Sequence, residues 1–147
     1  MKVRMDPKTY SEHWEKESML FESKGIYKLL SEITPKENVL EIGSGIGQAT
    51  LLLASSRKVL ALDNNVHLVE KARSRLAAAK VDAEIVVADV LSPSPRCVAA
   101  IKEFAPKVIV GWFLGSNADD HDKYVPADVP SNERPKKYDV AREFRIP

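Results

Sequence analysis

The stretch that decides the fold is Val39-Leu40-Glu41-Ile42-Gly43-Ser44-Gly45-Ile46-Gly47. A short apolar segment containing an acid leads into three glycines at alternate positions, and a helix-forming run begins at Gln48. Glycine at a strand-to-helix turn allows backbone conformations and a close ligand approach that side chains would prevent. The stretch therefore predicts a strand, a ligand-binding loop and a helix; the alternative interpretation is an ordinary tight turn.

The spacing of the glycines separates two kinds of nucleotide ligand. A dinucleotide fingerprint requires its third glycine three residues after the second. Here that position is Gln48, and Gly47 comes one residue too early. A nicotinamide-dependent dehydrogenase is therefore the least favoured function.

The acid Glu41, two residues before Gly43, and the Gly-x-Gly-x-Gly pattern after it resemble the first motif of class I S-adenosylmethionine-dependent methyltransferases. The resemblance covers about residues 36–114 and a plausible N-terminal cover helix. It implies a Rossmann-like fold with S-adenosyl-L-methionine as the cofactor. It also implies that the glycine loop lies beside the methionine part of the cofactor, where the acid helps to order the site.

Apolar segments alternate with helical patterns along the chain. Strands are predicted at 39–42, 58–62, 84–89 and 107–113, and helices at 8–30 with a break at Gly25, from 48, at 65–77 and at 96–104. The residues between 31 and 38 are predicted to be a polar connector, and Val66, Val69, Ala72 and Leu76 are predicted to form one buried helical stripe. The alternation predicts an α/β three-layer sandwich with a mostly parallel sheet of about four to five strands. The expected strand order is 3-2-1-4, which is incomplete relative to the seven-stranded family fold.

Ligands of open parallel sheets bind beyond the carboxyl ends of the strands, and acids lie at two further strand ends. Asp63 suits the two ribose hydroxyls of a nucleoside; a helix N-cap is the alternative interpretation, and both roles can coexist through different oxygens. Ala88-Asp89-Val90 resembles the third methyltransferase motif, in which the acid binds the adenine amine; a turn is the alternative interpretation. The cofactor-binding residues implied are Glu41, Gly43, Ser44, Gly45, Gly47, Asp63, Asn64, Asp89, Val90 and Trp112.

The fourth predicted strand bears on the methyl acceptor. Enzymes of this fold that methylate base amines carry Asn or Asp, two prolines and an aromatic residue there, but this chain has Gly111-Trp112-Phe113-Leu114-Gly115. We therefore do not expect nucleic acid as the acceptor. Trp112 or Phe113 could pack near the sulfonium, because a cation is attracted to an aromatic face, or could be core residues only.

A catalytic base is needed only for a protonated nucleophile, and the candidates for this role are weak. They are His121 and Tyr10, followed by Asp119, Asp120, Tyr124, His13 and Trp14. The acids around His121 are adjacent loop residues without distant partners, so no metal site is predicted.

The 147 residues suffice for one domain, with a cover at 1–35, a cofactor-binding core at 36–114 and a polar tail or lid at 115–147. The net charge of +1 and the absence of a long apolar run give no reason to expect nucleic acid or a membrane. Cys97 is the single cysteine, which fits a cytoplasmic location. With no clear fifth strand, the edge of strand four would be exposed. The chain could then be truncated, its tail could fold back, or a homo-oligomer or partner subunit could cover that edge.

The function predicted is methyl transfer from S-adenosylmethionine to a small molecule or protein acceptor by direct displacement. Two alternatives stay open. The first is a non-catalytic cofactor-binding or scaffold subunit, and the second is an aminopropyltransferase on the same fold.

Overall fold

The computed structural model describes residues 5–115 and Lys123. Its helices and strands alternate in the predicted order. They are α1 (Pro7–Ser23), α2 (Ile26–Ile33), β1 (Val39–Ile42), α3 (Gln48–Ala54), β2 (Val59–Asp63), α4 (Val66–Ala79), β3 (Glu84–Val87), α5 (Pro95–Phe104) and β4 (Val108–Gly111).

The described strands form one parallel sheet in the order β3-β2-β1-β4, as predicted. Val39 on β1 is in register with Val59 on β2 and with Val108 on β4. The carboxyl ends of all these strands therefore meet at one edge of the sheet. This confirms the predicted Rossmann-like α/β fold and places the candidate site at that edge.

The core lies on both faces of the sheet, because successive strand residues point to opposite sides. On one face Ala61 packs with Leu53 of α3 and Val69 of α4. On the other face Leu40 and its neighbours pack against α5, which contributes Cys97, Ile101 and Phe104. Helices on both faces define three layers, and the two layers of buried side chains hold the sheet between them.

The coverage of the sheet differs between its centre and its edges. Every residue of β2 is buried, as expected for a strand covered on both faces. At the edges, however, Val87 of β3 is 44% exposed and Ile109 of β4 is 68% exposed. The edge strands β3 and β4 are therefore less completely covered than β2.

Several predicted boundaries move by a few residues. The connector predicted at 31–38 begins later, because α2 continues to Ile33. The C-cap residue Thr34 has an extended backbone (ψ 130°), which suits a residue before Pro35. The second strand begins at Val59 and includes Asp63. The third and fourth strands end at Val87 and Gly111, before the predicted limits of 89 and 113.

The buried face of α4 differs from the predicted stripe at one position. Val69, Ala72 and Leu76 are buried as expected, but Val66 is 44% exposed. Leu68, which the stripe omitted, is only 3% exposed. Val66 is the first residue of the helix, directly after the cap, and there it escapes the packing that its spacing predicted.

Residues 11–115 form one compact unit. A second unit combines residues 1–10 with 116–147, of which residues 5–10 and Lys123 are described. The role of 115–147 as a tail or lid, and the single-domain assignment, stay predictions. Within the described part of the chain, no helix is long and apolar enough to cross a membrane.

Candidate cofactor site at the carboxyl edge of the sheet

The loop between β1 and α3 has a backbone that favours glycine. Gly43, Gly45 and Gly47 have φ angles of +75°, +54° and +85°. These values lie in the left-handed region, where other L-residues are strained. The alternate spacing seen in the sequence therefore corresponds to alternate left-handed residues.

Asp63 at the end of β2 joins this loop to the rest of the edge. Its Oδ2 accepts a hydrogen bond from the amide of Gly45 at 3.0 Å, and its Oδ1 accepts one from the amide of Asn65 at 2.9 Å. The alternative interpretation of Asp63 as the N-cap of α4 is wrong. Asn65 is the cap, because its side chain accepts from the amide of His67 at 3.0 Å.

Glu41 is the buried acid of the site, with only 1% of its surface exposed. Its Oε2 accepts a hydrogen bond of 2.6 Å from Oγ1 of Thr50. Burial raises the pKa of Glu41 to about 8, and the negative charge of Asp63 acts in the same direction, while the Thr50 bond opposes it. Glu41 is therefore mainly protonated near neutral pH.

A small pocket lies against the glycine loop. It is lined by Trp14, Tyr27, Glu41, Gly43, Ser44, Gly45, Gln48, Ala49 and Trp112. Among the described residues, Oγ of Ser44 and Nε1 of Trp112 are buried polar atoms with no hydrogen-bond partner. Buried polar atoms are normally paired, so two unpaired atoms lining the same pocket indicate a place for a polar ligand.

The glycines also make room for the chain's own side chains. A Cβ on Gly43 would lie 2.7 Å from Cδ2 of Leu114, and one on Gly45 would lie 2.9 Å from Nε1 of Trp14. The loop thus allows two side chains of this unit to approach the backbone that a ligand would contact. Neither the ligand interpretation of the glycines nor the tight-turn alternative foresaw these contacts.

The other cofactor residues implied by the resemblance lie at the neighbouring strand ends. The amide of Ala88 donates to the carbonyl of Asp63 at 2.9 Å, which holds the segment containing Asp89 beside the end of β2. Asp89 also has the turn geometry of the alternative interpretation, because its Oδ1 accepts from the amide of Leu91 at 3.0 Å. Asn64 and Val90 are exposed at this edge.

Trp112 and Phe113 follow β4 rather than ending it, and they have different surroundings. Trp112 lines the pocket and also packs against the core. Phe113 has a φ of +52°, an uncommon value for a bulky residue, and stacks on Phe21 with ring centroids 4.8 Å apart. Trp112 is therefore the better placed of the two to contact a ligand.

The candidate bases are only partly described. His121, Asp119, Asp120 and Tyr124 lie outside the described residues. Tyr10 is half-buried near the start of α1, in the other unit. His13 is half exposed, 3.8 Å from the Glu17 carboxylate.

Sequence reasoning missed three lining residues that come from helices, namely Tyr27, Gln48 and Ala49. Trp14 was considered only as a weak candidate base, and Gln48 stood out only for not being glycine. Gln48 is 3% exposed, and its Nε2 donates to Oγ of Ser18 at 3.0 Å. The heptad spacing of Trp14 and Phe21 was an available signal for a helix face turned toward the core.

Comparison with known proteins agrees with this geometry. Residues 39–103 match the family model described as a methyltransferase domain. The match confirms the predicted resemblance to S-adenosylmethionine-dependent methyltransferases and supports S-adenosyl-L-methionine as the cofactor. No match was found among curated proteins.

Solved structures similar to this chain include three methyltransferases. The tRNA (uracil-54, C5)-methyltransferase of Pyrococcus abyssi, in complex with S-adenosyl-L-homocysteine, is 28% identical over 59% of this chain and 27% of its own, with a TM-score of 0.45. Coclaurine N-methyltransferase is 25% identical over 47% and 22%, with a TM-score of 0.40. Phosphoethanolamine N-methyltransferase 1 of Haemonchus contortus is 30% identical over 42% and 14%, with a TM-score of 0.37. The matched region thus spans no more than about a quarter of these proteins.

Proposed function

We propose that this chain binds S-adenosyl-L-methionine at the carboxyl edge of its sheet and takes part in methyl transfer to a small-molecule or protein acceptor. The observation that carries the proposal is the pairing of a left-handed glycine loop with two unpaired buried polar atoms in the same pocket. The loop offers backbone to a ligand, and the unpaired atoms require hydrogen-bond partners.

The chemistry of the pocket suits the amino-acid end of the cofactor. The indole N–H of Trp112 can only donate a hydrogen bond, and the hydroxyl of Ser44 can donate one as well. Both would serve the carboxylate of the methionine part. Glu41 would accept a hydrogen bond from the ammonium group of the methionine part, and that positive charge would lower the pKa of Glu41 from about 8.

The nucleoside end would extend along the neighbouring strand ends. Each carboxylate oxygen has two acceptor sites, so Asp63 can bind the ribose hydroxyls while it holds the amides of Gly45 and Asn65. Asp89 would accept a hydrogen bond from the adenine amine and Val90 would pack on the ring. Asn64, which follows Asp63 in the chain, is the remaining residue of the implied set.

Methyl transfer from a sulfonium is a direct displacement, in which alignment of nucleophile, methyl and sulfur supplies much of the rate. The site would contribute by orienting the cofactor through the loop and the two acids. A base is required only if the nucleophile is protonated, and His121 and Tyr10 remain the candidates. Nucleic acid is not expected as the acceptor, given Gly111-Trp112-Phe113 after the fourth strand and the net charge of +1.

The test is calorimetric titration of the full chain with S-adenosylhomocysteine and, separately, with NAD. We expect saturable binding of S-adenosylhomocysteine only, its loss in Asp63→Ala, and its retention in Asp82→Ala, which changes an exposed acid. Repeating the titration in two buffers of different ionisation enthalpy should reveal proton release from Glu41. Binding of NAD instead, or no binding by a folded sample, would contradict the proposal.

The open alternatives differ in the step after cofactor binding. A scaffold subunit would bind the cofactor without turnover on any acceptor, and an aminopropyltransferase would prefer the decarboxylated cofactor. An acceptor screen with both cofactors separates the three functions.

The remaining expectations about the whole protein are part of the same proposal. They are a single domain over 1–147, a cytoplasmic location suggested by the single cysteine, and a second copy or partner subunit over the β4 edge. Exposure of Ile109 supports the last of these. Light scattering on the purified chain would test for a homo-oligomer, and co-purification would test for a partner.

A further inference from the structure

We propose that the part of α1 from Ser11 to Ser23 is a latched lid, whose Trp14 occupies the ligand face of the glycine loop until the helix swings away. This rests on the proposed function only for the identity of the ligand. Four features support the lid: the Trp14 contact, two ion pairs, a glycine between α1 and α2, and the buried serines of α1.

Trp14 stands where a ligand would meet the loop. Its Nε1 is 2.9 Å from the position of a Cβ on Gly45, and both residues line the pocket. A ligand that uses the bare backbone of Gly45 therefore competes with the indole for the same space. Because Gly45 has no side chain, the ligand and the indole of Trp14 would compete for contact with its backbone.

Two ion pairs latch α1 to α4. Lys71 pairs with Glu15, and the guanidinium of Arg75 donates to both carboxylate oxygens of Glu22 at 2.7 and 2.9 Å. All these side chains are partly exposed, with the Arg75 side chain at 27% and that of Glu22 at 39%. Partly exposed pairs contribute little and are screened by salt, so the latch can be released readily.

The link behind α1 has the properties of a hinge. Gly25, between α1 and α2, has a φ of +71°, and nothing lies within 4 Å of the position of a Cβ there. Beyond it, α2 is held firmly: Tyr27 is 5% exposed, and Nη2 of Arg57 donates to the carbonyls of Ser31 and Thr34. Motion of α1 about Gly25 would therefore leave α2 in place.

The face of α1 that meets the unit combines buried serines with aromatic side chains. Its buried residues are Ser11 and Ser18, and Oγ of Ser18 accepts a hydrogen bond from Nε2 of Gln48 in α3. The aromatic contacts of Trp14 and Phe21 are made to Phe113 at ring distances of 6.2 and 4.8 Å. Opening would exchange the polar contacts of the buried serines for water at low net cost, and on the apolar side it would break the aromatic contacts of Trp14 and Phe21.

The test needs no ligand in its first arm. Hydrogen exchange of the α1 amides is measured on the full chain without added ligand. Acrylamide quenching of tryptophan fluorescence is measured in parallel. It reports on the pocket, because Trp14 and Trp112 are the two tryptophans of the chain and both line it. Arg75→Gln and Lys71→Gln should speed exchange in α1, but not in β2, by about two- to fivefold, the range that a partly exposed ion pair supports. Added salt should have the same effect on the unchanged chain.

The matched control is Lys28→Gln, which breaks the exposed pair between Lys28 and Glu32 within α2 and should leave exchange in α1 unchanged. In the second arm, stopped-flow fluorescence should show S-adenosylhomocysteine associating about two- to fivefold faster with Arg75→Gln. Unaltered α1 exchange in both latch variants would overturn the lid proposal. Slower association of S-adenosylhomocysteine with Arg75→Gln would also overturn it, because α1 would then be part of the bound site. If no variant binds S-adenosylhomocysteine, the proposed function fails, and the exchange arm still decides the lid.

Discussion

The carboxylate of Asp63 accepts a hydrogen bond of 3.0 Å from the backbone amide of Gly45 and thereby joins the end of β2 to the glycine loop. The residue that the sequence assigned to a ligand is thus also a structural brace of the loop. Its second oxygen holds the amide of Asn65, the cap of α4. Replacing Asp63 should therefore affect stability as well as binding.

Asp63→Ala should lower the free energy of unfolding by about 1–3 kcal/mol, because buried amides lose a charged acceptor. Urea unfolding measures the change. The exposed Asp82→Ala should stay within about 0.5 kcal/mol of the unchanged chain. Equal effects of the two substitutions would mean that the brace contributes nothing to stability.

Glu41 should make stability fall as pH rises. Its pKa is about 8 in the folded state against 4.5 for the free group, so between these values the folded chain holds a proton that the unfolded chain releases. The stabilising contribution of this proton is fully present below pH 4.5 and is lost as the pH rises through about 8. Between these values the free energy of unfolding falls by at most about 1.4 kcal/mol per pH unit.

Glu41→Gln removes that titration while keeping an acceptor for Thr50. Unfolding free energies from pH 5.5 to 8.5 should show the unchanged chain losing stability relative to Glu41→Gln as pH rises. Parallel profiles for the two proteins would show that Glu41 titrates near its ordinary value.

Gly47→Ala and Gly25→Ala separate backbone strain from steric conflict. Both positions are left-handed, which costs about 1–2 kcal/mol for an L-residue. A Cβ on Gly47 would in addition lie 3.1 Å from Cα and Cβ of Ala72, whereas Gly25 has open space. Gly47→Ala should therefore lower the free energy of unfolding by about 1–3 kcal/mol more than Gly25→Ala does, as measured by thermal or urea unfolding. A smaller or reversed difference would mean that α3 and α4 can shift apart freely.

Arg57 should be a stability residue outside the site. Its guanidinium donates to the carbonyls of Ser31, Thr34 and Pro35 at 2.6–2.9 Å and so closes the end of α2. Arg57→Ala should cost about 1.5–3 kcal/mol, the usual range for hydrogen bonds to a charged group. Arg57→Lys should recover only part, because a lysine lacks the fork of donors. The exposed Lys58→Ala serves as the control, and full rescue by lysine would show that charge alone matters.

Leu68→Ala and Val66→Ala test the corrected face of α4. Leu68 is 3% exposed, so Leu68→Ala should lower the free energy of unfolding by about 2–5 kcal/mol. Val66 is 44% exposed, so Val66→Ala should lower it far less. The order would be reversed if the stripe predicted from spacing were the buried one.

The sequence predicted the strands and helices of the core, their parallel arrangement and the strand order, while several element limits moved by a few residues. Apolar runs, caps and glycines act over a few residues and leave a local pattern. The exchange of Val66 for Leu68 shows the limit of that pattern: spacing finds a helix face, but the neighbours packed against it decide which residues are covered.

For the candidate site, the sequence by itself determined the left-handed glycines and the acids at the strand ends, because backbone conformation and strand termination are local properties. The tertiary structure alone decided that Asp63 braces Gly45, that burial raises the pKa of Glu41, and that Ser44 and Trp112 face one pocket without partners. It also decided that Trp14 lies over Gly45. These relationships join residues far apart in the chain, and only packing of α1, the sheet edge and the segment after β4 brings them within contact distance.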